Sequence, residues 1–232
     1  MTTRRGVIHA RAVVANVLPH GLRRLLGAEA GALPEMDDLA KRVEEGWGAA
    51  MLYMVAEPPE GAGEGAHHLE IVQDPKKPFI EGNHVFMSIS GAEDTDRAPA
   101  GRRTITASTH VPMAKLRSMD DAGQGAYVAS IQARMRETVE AQAPEWVRRL
   151  DHVETASPRT FARFTGRFAG YVGGVPRRAG LGNYRSIGPM RVMPGLYLAG
   201  DSVFPGQSTL ATAVGGVRVA EQILRELGRD AG

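Results

Sequence analysis

Apolar and polar positions change period several times along this chain of 232 residues, and each change predicts a change of element. Val7 to Val17 alternates and then turns fully apolar, which predicts a strand or a hairpin arm. Pro19 to Leu26 reads as a short helix and Pro34 to Trp47 as a longer one. Pro34 fits the first turn of the latter, and Glu35, Asp37 and Asp38 crowd its positive end. From Ala49 the period becomes two. Ala49 to Glu57, Leu69 to Gln73, His84 to Ser90 and Thr104 to Val111 are short β-type runs between Gly/Pro-rich turns. In the third run Val85, Met87 and Ile89 share one face and Phe86 takes the other. The four runs together predict an antiparallel or mixed sheet with one face free to line a cavity. Helical spacing returns over Asp120 to Ala143, with Tyr127, Val128, Ile131, Met135 and Val139 as the apolar stripe and Pro144 as its end. Val147 to Ala156 predicts another strand, and Ser157-Pro158 starts a short helix that stops at Gly166. Gly166 to Gly188 then holds seven glycines and little periodicity, and a loop that long inside a compact domain is usually functional.

The stretch from Gly195 to Thr209 is the most structured signal. Leu196, Tyr197, Leu198 and Ala199 form an unbroken apolar run, as in a strand covered on both faces. Gly200 lets the backbone come close to another group. Asp201 puts a carboxylate at the strand's carboxyl end, where open α/β sheets bind ligands. Pro205-Gly206 makes a turn, and Ser208 or Thr209 can cap the helix that follows. That helix carries Leu210, Ala213, Val214, Val217, Ala220, Leu224 and Leu227 on one stripe, and its first turn presents free amides to an electron-rich ligand. By spacing alone the stretch fits a cofactor site and an ordinary strand-to-helix connection equally well.

Composition removes several classes. Hydrophobic residues make up 43% and charged residues 23%, as in globular proteins. There is no cysteine, so disulfides, thiolate metal ligands and a cysteine nucleophile are excluded, which fits a reducing compartment. No apolar run approaches the roughly 18 residues that span a bilayer, and MTTRRGVIHA has no signal-like apolar core. The expected location is cytoplasmic, with room for a peripheral membrane contact. The net charge is only +2, yet nine arginines lie between Arg148 and Arg191 against Asp151 and Glu154. No aromatic interleaving accompanies them, which argues against nucleic acid and leaves a solvated face, anionic headgroups or a phosphate-bearing cofactor.

The seven histidines show no metal-binding spacing, and His67-His68 on a strand point to opposite faces, so no metal is expected. There is no G-x-S-x-G elbow and no Walker A motif. Gly61 to Ala66 does match G-x-G-x-x-A. It follows Pro58-Pro59 and precedes a strand rather than a helix, so the dinucleotide-binding mechanism is absent there.

Gly195 to Glu221, GLYLAGDSVFPGQSTLATAVGGVRVAE, resembles the C-terminal flavin-contacting motif of the phytoene desaturase-related FAD-dependent oxidoreductases. It is most similar to the branch of carotenoid isomerases, carotenoid desaturases and retinol saturases. Ala156 to Gly166 and Gly170 to Gly174 are similar to the segment that precedes this motif, and Ala12 to Asn16 resembles the strand re-entering the FAD domain. The resemblance is specific from about Thr155 to Leu227 and loose between Pro34 and Asp151.

The resemblance implies an α/β (α+β) fold: a mixed-sheet substrate domain with helices, and the C-terminal strand-helix part of a Rossmann-like FAD-binding domain. It divides the chain into residues 1–33 (re-entry strand and helix), 34–165 (substrate domain) and 166–232 (loop and FAD-contacting unit). It implies that Gly200, Asp201, Pro205, Gly206, Ser208, Thr209 and Leu210 contact FAD. Asp201 would serve the ribityl or diphosphate side and the Ser208-Thr209-Leu210 backbone the ring's electron-rich edge. The glycine-rich segment and the sheet would line an apolar tunnel for a polyene, and no catalytic side chain is named, because flavin performs the redox step. Family members begin with a strand-G-x-G-x-x-G-helix unit that this sequence does not show. The chain is therefore expected to correspond to the C-terminal half, with an N-terminal partner chain, a truncation and a non-catalytic remnant or binding module all open. Without that unit, the last strand and helix would leave apolar surface exposed.

Overall fold

The computed structural model describes residues 1–232 except 4, 178–179, 181–189 and 230–232. The described chain forms two compact units, one of residues 1–46, 166–168 and 173–232, the other of residues 47–165 and 169–172.

In the first unit the Val7–Val17 run divides between two pairings. β1 (Thr2–Thr3) and β2 (Gly6–Val7) form a local antiparallel hairpin, while β3 (Val13–Ala15) pairs in parallel with β10 (Leu196–Leu198). β9 (Arg191–Met193) adds antiparallel to β10, giving the order β3-β10-β9. Helices α1 (Pro19–Leu26) and α2 (Pro34–Glu44) each place proline in the first turn, where its missing N–H costs nothing. They bury Leu22, Met36, Leu39, Ala40 and Val43. α2 stops three residues before Trp47, capped at Glu45, and the following turn needs glycine at 46, where a Cβ would lie 2.9 Å from the Val43 carbonyl oxygen.

The last element, α7 (Thr209–Arg229), is tied down by Tyr197, whose hydroxyl donates to Glu226 at 2.6 Å, and by Arg11, which donates to the Leu227 carbonyl at 3.2 Å. Its buried positions are Gly215 and Val219. The apolar stripe conspicuous in the sequence faces outward: Leu210 is 76% exposed, Val217 59% and Leu224 70%.

The second unit is a five-stranded antiparallel sheet in the order β5-β6-β7-β4-β8. Its strands are β4 (Trp47–Ala56), β5 (His67–Val72), β6 (His84–Ile89), β7 (Arg103–Pro112) and β8 (Leu150–Ala156). Strict alternation in β6 and β7 buries Val85, Met87, Ile89, Ile105, Ala107 and Val111. The long helix α4 (Asp121–Gln142) packs on the sheet with Val128, Ile131, Met135 and Val139 buried. Asp120 caps it by accepting from the Gly123 amide at 2.8 Å. α3 (Met113–Arg117) precedes it, and α6 (Pro158–Thr165) follows β8. β8 starts later than its apolar run suggests because Pro144–Val147 forms a single helical turn, α5, that buries Trp146.

Gly82 fastens the β5–β6 connection to α4. Its φ is +87°, and an added Cβ would meet Arg134 Cβ at 2.9 Å and the Ile131 carbonyl oxygen at 3.1 Å. Its amide donates to Thr109 Oγ1 at 3.0 Å, and its carbonyl accepts from Thr138 Oγ1 at 2.7 Å.

Candidate functional site

The parallel strands β3 and β10 end side by side, with the Ala199 amide donating to the Ala15 carbonyl at 3.0 Å. The residues just beyond those ends, Asn16 and Gly200-Asp201, form the core of the candidate site. Gly200 adopts φ +112°, and a Cβ there would come within 2.7 Å of Asn16 Oδ1, so glycine is required for the approach. The Asp201 side chain is only 18% exposed and accepts from Arg167 Nη2 at 2.6 Å. Phe168, the next residue, stacks on His20 with ring centroids 4.1 Å apart, and His20 in turn meets Glu44 at 3.0 Å. Arg167 is thereby held from α1 and α2.

The backbone of Asp201 is equally confined. A Cβ at Gly174 would lie 2.3 Å from the Asp201 carbonyl oxygen. Further along, Gly206 is buried with φ +97°, and the Gln207 side chain donates to the Val175 carbonyl at 3.0 Å. Arg177 donates to the Gln207 carbonyl at 2.6 Å, and the Pro205 carbonyl lies 3.5 Å from the same nitrogen. Ser208 takes φ +102°, a conformation that ordinarily favours glycine, and its hydroxyl accepts from the Ala211 amide at 3.1 Å. Ser208 is therefore the cap of α7. Thr209 and Leu210 open the helix and are exposed, with the amides of the first turn lacking intrahelical partners.

All seven residues singled out in the sequence thus lie on one continuous stretch that runs from just past β10 into the first turn of α7. Asn16, Arg167, Gly174, Arg177 and Gln207 share the site and were not singled out. Arg167 and Arg177 stood in the basic stretch without a stated task, and nothing local marks Asn16 or Gln207. Of the glycine-rich segment, residues 178–179 and 181–188 lie outside the described residues.

The second unit supplies a surface. The sheet face away from α4 carries Tyr53 and Val55 on β4, Thr104, Thr106, Ser108 and His110 on β7, and His84, Phe86 and Ser88 on β6. Ala49, Met51 and Ala156 form an apolar cluster on it with Phe161 and Val172. His110 meets Trp47 edge-on at 4.8 Å, and burial, reinforced by His84, holds its imidazole below the ordinary range. His84 pairs with Glu70 and stacks on Phe79.

A cleft of about 430 Å³ also opens among α3, α4 and α6. Its polar groups are occupied: Arg159 binds Asp121 at 2.7 Å, Arg117 the Tyr171 hydroxyl at 3.2 Å and Gln132 the Ala156 carbonyl at 2.9 Å. The turn at Gly61 to Ala66 leads into β5, and its Gly63 and Glu64 carbonyls accept from the buried Arg103 guanidinium at 3.0 and 3.1 Å. Carbonyls turned inward are the opposite polarity to a phosphate cradle. Among the described residues no cluster of His, Asp or Glu could hold a metal ion, and no helix is long and apolar enough to cross a membrane.

No protein-family model matches the chain. It is similar to the prolycopene isomerase, chloroplastic, of Arabidopsis thaliana, 28% identical over 163 residues, which are 70% of this chain and 27% of that protein. It is also similar to prolycopene isomerase 2, chloroplastic, of an Oncidium hybrid cultivar, 37% identical over 75 residues, 32% of this chain and 13% of the relative. Among solved structures it matches an oxidoreductase from Methanosarcina mazei with a TM-score of 0.61 and 14% identity, over 95% of this chain and 45% of that one. The fold is thus a mixed α/β arrangement shared with part of an oxidoreductase, and the sequence likeness is to the carotenoid isomerase branch. The chain spans about a quarter of the length of the isomerases from Arabidopsis and Daucus carota.

Proposed function

We propose that this chain is the C-terminal portion of an FAD-dependent oxidoreductase acting on carotenoid- or retinoid-type polyenes by desaturation, saturation or isomerisation. The observation that carries this reading is the paired ends of β3 and β10, where Asn16, Gly200 and Asp201 meet ahead of the α7 first turn. The residues suit the cofactor. Asp201 offers acceptors to ribityl hydroxyls, and the start of α7 is a positive end for the electron-rich ring edge. Arg167 neutralises Asp201 and so keeps an acceptor of full charge from repelling a diphosphate. FAD, when bound, supplies the redox chemistry, and the chain's residues bind and orient. The sheet face opposite α4 serves as the platform for substrate.

The exposed α7 stripe of Leu210, Val214, Val217 and Leu224 supports a further part of the reading. A parallel pair of three-residue strands with an uncovered helix face is an unfinished α/β layer. We assign that face to a dinucleotide-binding N-terminal half, and the site is completed by it. Location is taken as cytoplasmic with a peripheral membrane contact through the basic stretch.

The test is a visible spectrum of the purified chain, alone and co-expressed with its upstream gene product. Flavin absorbance that depends on the second polypeptide, and that falls in Asp201→Ala, is the expected outcome. Absence of flavin in both samples rejects the reading. The same exposed stripe favours one alternative, a non-catalytic module that binds another protein, and flavin taken up stoichiometrically by the lone chain excludes it.

A further inference from the structure

The cleft among α3, α4 and α6 lies wholly within the second unit, and its volume of about 430 Å³ is that of a small-molecule site. Its walls carry little. Gly125 and Ala129 stand one turn apart on α4, and Ala162 and Ala169 line the cleft with them. A Cβ at Gly125 would meet nothing within 4 Å. Glycine costs a helix stability relative to alanine, and here no neighbouring atom demands it, so what the missing side chain provides is space. The floor is apolar, with Leu116 and Val128 only 5% and 8% exposed. The charges lining the cleft are all of one sign. Arg117 and Arg159 contribute cations, and no Asp or Glu is among the lining residues. Asp121, which binds Arg159 at 2.7 Å, is not part of the lining, and the Arg159 and Asp121 side chains are 64% and 89% exposed. So exposed a pair holds weakly, and Arg159 can exchange Asp121 for an anion lodged in the cleft.

We propose that this cleft binds a small amphipathic acid, a carboxylate or phosphate monoester on a short alkyl body. The anionic head sits at Arg117 and Arg159, and the alkyl body lies on Leu116 and Val128 beside Gly125 and Ala129. A neutral molecule of the same length forgoes the two guanidinium groups, and a bare inorganic anion leaves the apolar floor in water, so each is the poorer ligand. No residue of the stretch from Gly200 to Leu210 takes part, and the site stands independently of the cofactor reading.

The experiment is isothermal titration calorimetry of the full chain with octanoate, octyl phosphate, octanol and inorganic phosphate, each amphiphile below its micelle-forming concentration. At least one of the two acids binds about tenfold tighter than octanol, the lower end of what a hydrogen bond to a charged group contributes, and the tighter acid identifies the head group. Arg159→Gln removes most of that advantage and leaves octanol unchanged. Asp121→Asn acts the other way: with the exposed partner of Arg159 neutralised, the acids bind about threefold tighter. A merely structural pair moves neither affinity. Gly125→Leu fills the cleft and weakens acid and alcohol alike by about tenfold or more. Leucine favours a helix over glycine and its Cβ meets nothing there, so this variant keeps its fold; thermal melting verifies it. Leu210→Ser, on the exposed stripe of α7, changes none of these affinities, which separates the cleft from amphiphile gathering on that surface. Equal affinity for the acids and octanol, inorganic phosphate binding as tightly as the acids, no binding at all, or binding undiminished in Gly125→Leu overturns the proposal.

Discussion

Arg167 donates to the Asp201 carboxylate at 2.6 Å, joining two residues 34 positions apart at the end of a parallel strand pair. Their side chains are 27% and 18% exposed, so the pair is neither a surface ion pair nor fully desolvated. Arg167→Ala leaves Asp201 shielded from water without its partner. The expected loss is about 1–3 kcal/mol in urea unfolding, below the cost of breaking a fully buried pair. Adding Asp201→Asn returns part of it, since the unpaired charge is gone. A double-mutant cycle showing no coupling between the two positions contradicts this account.

Gly174 sets the position of the same turn by its lack of a side chain. A Cβ would stand 2.3 Å from the Asp201 carbonyl oxygen and 2.5 Å from the Ser202 amide nitrogen, both backbone atoms that cannot rotate away. Gly174→Ala therefore destabilises by about 1–3 kcal/mol through overpacking. Gly63→Ala, where nothing lies within 4 Å of the added carbon, is the matched control and stays within about 0.5 kcal/mol. Thermal unfolding of the two variants side by side decides the matter.

α7 divides its energy unevenly between its two faces. Val219 is 1% exposed, so Val219→Ala costs about 1–3 kcal/mol of folding stability. Leu210→Ser and Leu224→Ser, at sites 76% and 70% exposed, leave the chain's own stability within about 0.5 kcal/mol. In sedimentation velocity the parent chain is expected to associate with rising concentration through this exposed apolar stripe, and the two serine variants to associate less. Equal stability losses at all three positions would mean that the stripe is packed after all.

Much of this arrangement is legible in the order of residues, and the exceptions have physical reasons. The period-two pattern of His84 to Ser90 places Val85, Met87 and Ile89 on the buried face, since one face meets α4. The stripe Val128, Ile131, Met135 and Val139 is likewise the packed side of its helix. In α7 the same reasoning finds the stripe but not the contact. The packed side runs through Gly215, which carries no hydrophobic signal, while the conspicuous Leu and Val positions face outward. Trp47 continues the apolar pattern of α2 and yet opens β4, because the helix is capped at Glu45 and the chain passes through Gly46, a position with no space for a side chain. Arg167 was invisible for another reason. Its partner is remote in sequence, and nothing distinguishes it there from the other arginines of the basic stretch. His67 and His68 do separate as strand geometry requires, the first against Trp146 and the second against Phe86.

Acid destabilises the sheet unit in two separable steps. His110 is held below its ordinary range by burial and then by His84, with Glu70 opposing, while Trp47 packs on its ring. Its folded pKa lies below the unfolded value of about 6.5, so the unfolded chain binds the extra proton first. Stability is therefore complete above that value and declines as pH falls from it towards the folded pKa. Glu81 acts lower. Burial raises its pKa, but hydrogen bonds from Tyr127 and Lys115 outweigh this, and its carboxyl ends below the ordinary 4.5. The Lys115 bond is 2.9 Å, and Arg134 adds attraction from 3.8 Å. Stability from Glu81 is present above 4.5 and is lost as pH falls through the folded value. His110→Phe removes the first decline and leaves the second. Glu81→Gln removes the second and lowers stability already at pH 7, because Lys115 and Arg134 lose their counter-charge. Urea midpoints measured across the acid range test both steps; a His110→Phe variant with the same decline near pH 6 as the parent chain would show that another group titrates there.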